Sequence, residues 1–141
     1  MRHLIFLPLL VQMLLPLLGY VMLGRAKTRA TRDGQVDLAR RALHADAWPD
    51  GVIQINNNIR NQFELPVLFY AVVAFGLLTK GVDFLMLLLA WLFVLSRIAH
   101  AAIHVGPNRV RWRSPVFALG LLILAGMWLK LFFHVLSGGF A

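Results

Sequence analysis

Several side chains able to do chemistry lie where the chain is otherwise apolar. Asn57, Asn61 and Glu64 fall at i, i+4 and i+7, against an apolar run that reaches Leu78. At 3.6 residues per turn, that spacing puts two amides and an acid on one helix face. Arg97, His100 and His104 repeat the habit at i, i+3 and i+7 in the next apolar segment. An ionisable group in a membrane helix costs about 2.5–3.5 kcal/mol on insertion scales, so it faces a bundle interior or a cavity and takes a partner. A lone Glu64 would need only Arg97 or Arg60 as a partner to lock two helices together. Two polar faces converging at one depth point instead to the wall of a polar ligand pocket, with Glu64 as its anchor.

Plainer explanations cover some of the neighbours. Asn56, Asn57 and Asn58 together suit a cap and turn that open a helix, whereas Asn61 lies a turn further in. His100 and His104 have the spacing of two metal ligands, but no HExxH motif and no third ligand other than Glu64 accompanies them. No metal site is expected. The chain has no cysteine, so any sulfur chemistry must use a substrate's thiol. Arg109, Arg111 and Arg113 alternate and cannot all point one way; they serve as a topology signal or as an anion site beside Glu64. Near the far end, Lys130 snorkels and His134 is assigned no chemistry. Trp48, Trp112 and Trp128 mark interfacial depth.

These groups need a membrane scaffold to position them. Of the 141 residues 60% are hydrophobic and the mean hydropathy is +0.73, against an apolar share of about 45–50% in soluble domains. Four runs, about 4–23, 59–78, 82–105 and 115–136, each meet the roughly 20 residues that cross a hydrocarbon core of about 30 Å. Lipid admits only helices or closed barrels, and these runs are too long for barrel strands. The expected fold is an all-α integral membrane protein, one domain over residues 1–141 forming a four-transmembrane-helix bundle. The first run is read as a retained helix, because a signal h-region spans only about 7–15 residues. Residues 24–58 form the longest loop, with a short surface helix at 36–43 and a turn at Pro49 and Gly51. The 79–83 loop demands an antiparallel hairpin, and Pro107 and Pro115 suit a helix stop and the next start.

The formal charge of +8 follows this topology. Arg25, Lys27, Arg29, Arg32, Arg40 and Arg41 crowd the first loop and three arginines the third, while the second has only Lys80, balanced by Asp83. Such a distribution is a membrane signal, and no nucleic-acid partner is expected. The positive-inside rule places loops one and three in the cytoplasm and both termini on the far side.

With N-x-x-E from Asn61 to Glu64, then Pro66, and R-x-x-H-x-x-x-H from Arg97 to His104, the chain resembles the MAPEG family, membrane-associated proteins in eicosanoid and glutathione metabolism. The resemblance covers most of the chain. It implies a homotrimer that binds glutathione as co-substrate between neighbouring subunits, on the cytoplasmic side. The family's helix-two pattern is Arg-x-x-x-Asn-x-x-Glu, so Asn61 and Glu64 match while Asn57 stands at the arginine position. On helix three Arg97 matches, and His100 and His104 replace two tyrosines. The resemblance thus assigns Asn57, Asn61, Glu64, Arg97 and His100 to glutathione binding. Arg111, seven residues after His104, falls on the arginine that activates the thiol.

The implied chemistry is coherent. A free thiol titrates near 8.5, and a guanidinium favours the thiolate that attacks a lipophilic electrophile or hydroperoxide. Imidazoles titrate near 6.5 and phenols near 10, so His104 would act as a second cation near sulfur or as a general base. The expected activity is that of a membrane-bound glutathione transferase or peroxidase. One alternative is a MAPEG scaffold that binds another ligand without thiol chemistry, as Asn57 suggests. Another is a small four-helix transporter using Glu64, although such transporters carry their glutamate in the first helix and have short loops.

Overall fold

The computed structural model describes residues 2–138. A 3-10 turn at Arg2–Ile5 leads into α1 (Phe6–Arg32), followed by α2 (Asp50–Gln62), α3 (Leu65–Leu78), α4 (Phe84–Val105) and α5 (Val110–Leu136). Since α2 and α3 form one interrupted rod, four rods are long and apolar enough to cross a membrane. This is the all-helical, multi-pass architecture expected from the apolar runs.

The helix boundaries differ from those runs for a physical reason. Hydropathy marks where a helix meets lipid, not where its backbone hydrogen bonds stop. The segment after Leu23 reads GRAKTRATR, and its alanine and long basic residues are good helix formers, so α1 continues to Arg32 rather than ending at 23. The second rod begins at Asp50 rather than 59. Pro49 takes the extended N-cap conformation and Asp50 places an acid in the first turn, where the helix dipole favours it. The expected turn at Pro49 and Gly51 is therefore a helix start. Residues 36–43 form successive turns rather than a helix, with Asp37 accepting from the Ala39 and Arg40 N–H groups; such local bonds compete with helix. The last rod starts at Val110, leaving Pro115 inside the helix rather than at its first residue.

Phe69 of α3 stacks on Phe93 of α4, with ring centroids 4.6 Å apart. The two lie the same number of residues from the helix ends flanking the 79–83 loop, as an antiparallel hairpin requires. Met86, Val94, Leu124 and Met127 complete this core. Leu10, Leu17, Leu122 and Phe133 remain exposed on the outside, which suits helices that face lipid.

Lys130 does not simply snorkel to water. Its Nζ lies 2.9 Å from Asp83 and donates to the Gly81 carbonyl at 3.3 Å, while His134 Nε2 donates to Thr79 O at 2.9 Å. Together they dock the 79–83 loop on α5. Gly81 permits this because a Cβ there would sit 2.6 Å from the His134 ring.

Asp83 also caps α4 by accepting from the Met86 N–H at 2.9 Å. Burial raises its carboxyl pKa, but the Met86 N–H and Lys130 outweigh that and hold it below its ordinary value. A depressed carboxylate stabilises the fold above its unfolded pKa near 3.9, and that stability is lost as pH falls through the folded value. Asp83→Ala should cost about 1 kcal/mol at pH 7, and thermal unfolding of variant and wild type in detergent should converge as pH drops below about 4.

Where α1 meets α2, Gln12 Nε2 donates to Gln62 Oε1 at 3.0 Å, and both side chains are buried. Gly19 lets the helices approach, since its Cβ would lie 2.9 Å from Ile59. Gln12→Leu leaves Gln62 unpaired and should cost about 1–3 kcal/mol, whereas the double Gln12→Leu/Gln62→Leu should recover most of it. Unfolding in detergent, followed by circular dichroism, measures both.

Candidate functional site

The second rod breaks between Gln62 and Leu65. The Phe63 N–H turns back to Arg60 O, and Glu64 adopts φ −101°, ψ −98°, outside the helical region. Pro66 accounts for the break: it has no N–H for the Gln62 carbonyl and its ring would strike that carbonyl in a continuous helix. Near the start of a new helix the same proline is tolerated.

A broken helix does not carry its phase across the gap, so Glu64 does not join the flank of α2 that carries Asn57 and Asn61 at i and i+4. Glu64 is exposed, and among the described residues it pairs with neither Arg97 nor Arg60. Asn57 lines a separate cleft with Asn56 and Arg60. Asn56, Asn57 and Asn58 sit inside α2 rather than capping it, and Asn58 is buried. The 14 residues of α3 span about 21 Å, less than a hydrocarbon core of about 30 Å. Glu64 lies on the outer surface of the single bundle, at the break in the second apolar rod.

The remaining polar groups do converge. Asn61, His100, Arg113, Ser114 and Phe117 line a cavity of about 220 Å³ between α2, α4 and α5. Unbroken helix in α4 keeps His100 and His104 on one face, with ring centroids 5.7 Å apart and both residues buried. Arg113 Nη1 lies 3.3 Å from His104 Nε2 and donates to Asn108 Oδ1 at 2.6 Å. A guanidinium only donates, so His104 Nε2 accepts and the neutral ring carries its proton on Nδ1. Asn108 reaches Arg113 from a left-handed backbone conformation, φ +48°, which asparagine tolerates. Behind them, Gln54 of α2 donates to His104 O and Gly106 O at 2.7 and 3.0 Å, fastening α2 to the end of α4.

Arg111 is not in this cavity. It is exposed, with its guanidinium 5.9 Å from the Trp112 ring centroid. Because α5 begins at Val110, two residues correspond to a rotation of about 200°, and it is Arg113 that reaches His104. Counting seven residues from His104 missed this, since the phase depends on where the helix starts.

Arg97 does not line the cavity either. It is buried between α4 and α5, donates to Val116 O at 3.3 Å, and lies 5.1 Å and 5.7 Å from the Phe117 and Phe93 ring centroids. No carboxylate pairs with it among the described residues. Gly120 makes room for it: a Cβ there would stand 2.6 Å from Arg97 Nη2 and 2.8 Å from Ser96 Oγ. Gly120→Ala should therefore destabilise by about 1–3 kcal/mol. Gly24→Ala, with nothing within 4 Å, should be neutral or stabilise by up to about 1 kcal/mol, and detergent unfolding of the pair checks the contrast.

Gln12 and Gln54 were not singled out from the sequence. A lone glutamine inside the first apolar run was the available signal for Gln12. Among the described residues no group of three or more His, Cys, Asp or Glu is placed to hold a metal ion.

Fold and site together define a multi-pass helical membrane protein with an amide, imidazole and guanidinium cavity lined by three helices at its arginine-rich end. A family model matches residues 4–133, and the chain belongs to the MAPEG family. No curated protein and no solved structure matches it.

Proposed function

We propose that the protein is a membrane-bound glutathione transferase or peroxidase, in which the thiolate of bound glutathione attacks a lipophilic electrophile or hydroperoxide arriving from the bilayer. Family membership supports the glutathione-handling scaffold. The observation that carries the reading is the cavity shared by Asn61, His100 and Arg113. Its amide, imidazole and guanidinium suit a small peptide-like anion. Arg113, held by Asn108 and His104, stabilises the thiolate. His104 keeps an acceptor nitrogen on that guanidinium and serves as the base candidate. Arg97 supports the site from behind by fixing α5 against α4.

Glu64 supplies a carboxylate for the ligand's ammonium. A carboxylate exposed on a membrane-spanning rod is unfavourable, which supports a homotrimer in which a neighbouring copy covers Glu64 and glutathione lies between subunits. Arg111, exposed on α5, reaches toward a neighbour rather than into its own cavity. The positive-inside rule puts this end of the bundle in the cytoplasm and both termini on the far side. A second reading, a MAPEG scaffold with another ligand, is favoured by Asn57, which stands where the family pattern has an arginine.

Calorimetry of glutathione binding to detergent-purified protein separates the two. Arg113→Ala and Glu64→Ala should each weaken binding at least about tenfold, or about 1.4 kcal/mol, while Arg111→Ala should cost less than Arg113→Ala. With a lipophilic electrophile, Arg113→Ala should lower turnover about 10²–10³-fold and His104→Ala about 10²-fold. A folded wild type that binds no glutathione would leave the second reading standing.

A further inference from the structure

A second cleft lies at the arginine-rich end, beside the cavity but not sharing its residues. Lys27 of α1, Arg41 and His44 of the first loop, and Asn56, Asn57 and Arg60 of α2 line a space of about 250 Å³. The loop is folded onto α1 rather than lying free. Trp48 Nε1 donates to Arg41 O at 3.2 Å, and Lys27 Nζ sits 4.8 Å from the Trp48 ring centroid. On α2, Arg60 follows Asn56 and Asn57 by four and three residues, so the three share a flank.

No carboxylate lines this cleft. Asp46 is engaged by Arg40 at 2.8 Å, Asp33 by Arg29 and Arg32, and Asp37 by backbone N–H groups, while Asp50, in the first turn of α2, lies outside the lining and is in no ion pair among the described residues. Among the described residues, Lys27, Arg41 and Arg60 are in no ion pair. A topology signal needs only the number of basic residues in a loop. It does not require three of them to gather, against their mutual repulsion, around a concave surface with two amides. That arrangement suits an anion that accepts from several directions at once. A tetrahedral phosphate does so, taking paired bonds from a guanidinium together with an ammonium and amide N–H groups.

We propose that this cleft binds a phosphate group, carried either on an anionic lipid or on a small water-soluble molecule. Basic pockets between membrane helices hold anionic headgroups in this way. Tyr20, two turns before Lys27 on the same side of α1, and Leu17, nearly one turn earlier, are exposed, leaving an apolar track along which an acyl chain can run into the bilayer. The site uses neither Arg113 nor His100; it shares with the glutathione reading only Asn57, which stands at the family's arginine position.

Native mass spectrometry of the detergent-purified protein, titrated with phosphatidylglycerol or phosphatidylcholine, tests the lipid source. Calorimetry with inorganic phosphate in lipid-free detergent tests the soluble one. Lys27→Gln, Arg41→Gln and Arg60→Gln each remove one lining charge, and Arg32→Gln removes one outside the cleft; circular dichroism confirms that each folds. Each lining variant should weaken phosphatidylglycerol or phosphate binding about fivefold, the worth of one basic side chain beside an anionic surface, and Arg32→Gln should leave it unchanged. Preference for phosphatidylglycerol over phosphatidylcholine identifies the lipid source, whereas phosphate binding without that preference identifies the soluble one. Binding of neither, an equal loss in Arg32→Gln, or binding of glutathione but not phosphate at these residues would overturn the proposal.

Discussion

Pro66 cannot complete a helix that runs through Glu64, and the position of each polar group in the second rod follows from that. A continuous helix would lose the bond to the Gln62 carbonyl and force the proline ring against it. The chain instead closes α2 at Gln62 and restarts at Leu65. The end of α2 thereby turns Gln62 inward to Gln12, leaves Asn61 facing His100 and Arg113, and puts Glu64 outside. One missing N–H thus separates an acid from the amides that precede it in the sequence.

Lipid offers no hydrogen bonds, so polar groups inside the bundle must find partners within it. The partners found inside the bundle are mostly neutral groups rather than acids. Arg97 leans on a backbone carbonyl and two aromatic rings, Gln12 on Gln62, and Gln54 on the last carbonyls of α4. Small residues admit the larger ones at these places, Gly120 beside Arg97 and Gly19 beside Ile59. The 79–83 loop is held differently, by the Lys130–Asp83 pair and by His134 on Thr79. Its helix hairpin is therefore tied to α5 independently of the polar cavity at the other end.

That arginine-rich end carries two distinct arrangements of positive charge, with α2 as a wall of both. Asn56, Asn57 and Arg60 face the cleft under the first loop, while Asn61 faces the cavity against α4 and α5. In one, a single guanidinium is restrained by an amide oxygen and an imidazole. In the other, several cations surround open space that no carboxylate lines. The first arrangement suits polarising one atom of a ligand, and the second suits holding a multiply charged group.

The four membrane crossings were legible from the sequence alone, because partition into lipid sums over neighbouring residues and needs no knowledge of packing. The N-x-x-E and R-x-x-H-x-x-x-H spacings carried the MAPEG resemblance for the same local reason, and His100 and His104 kept their shared face because α4 is unbroken. Where phase depended on an unseen boundary, periodicity failed. Glu64 parted from Asn57 and Asn61 at the break before Pro66, and a helix start at Val110 brought Arg113 rather than Arg111 to His104. Only the tertiary structure joined Gln12 to Gln62, packed Arg97 against Gly120, and set Trp48 of the first loop against Lys27 of α1. These contacts link residues far apart in the chain, and their geometry depends on how helices pack, which no count along one segment encodes.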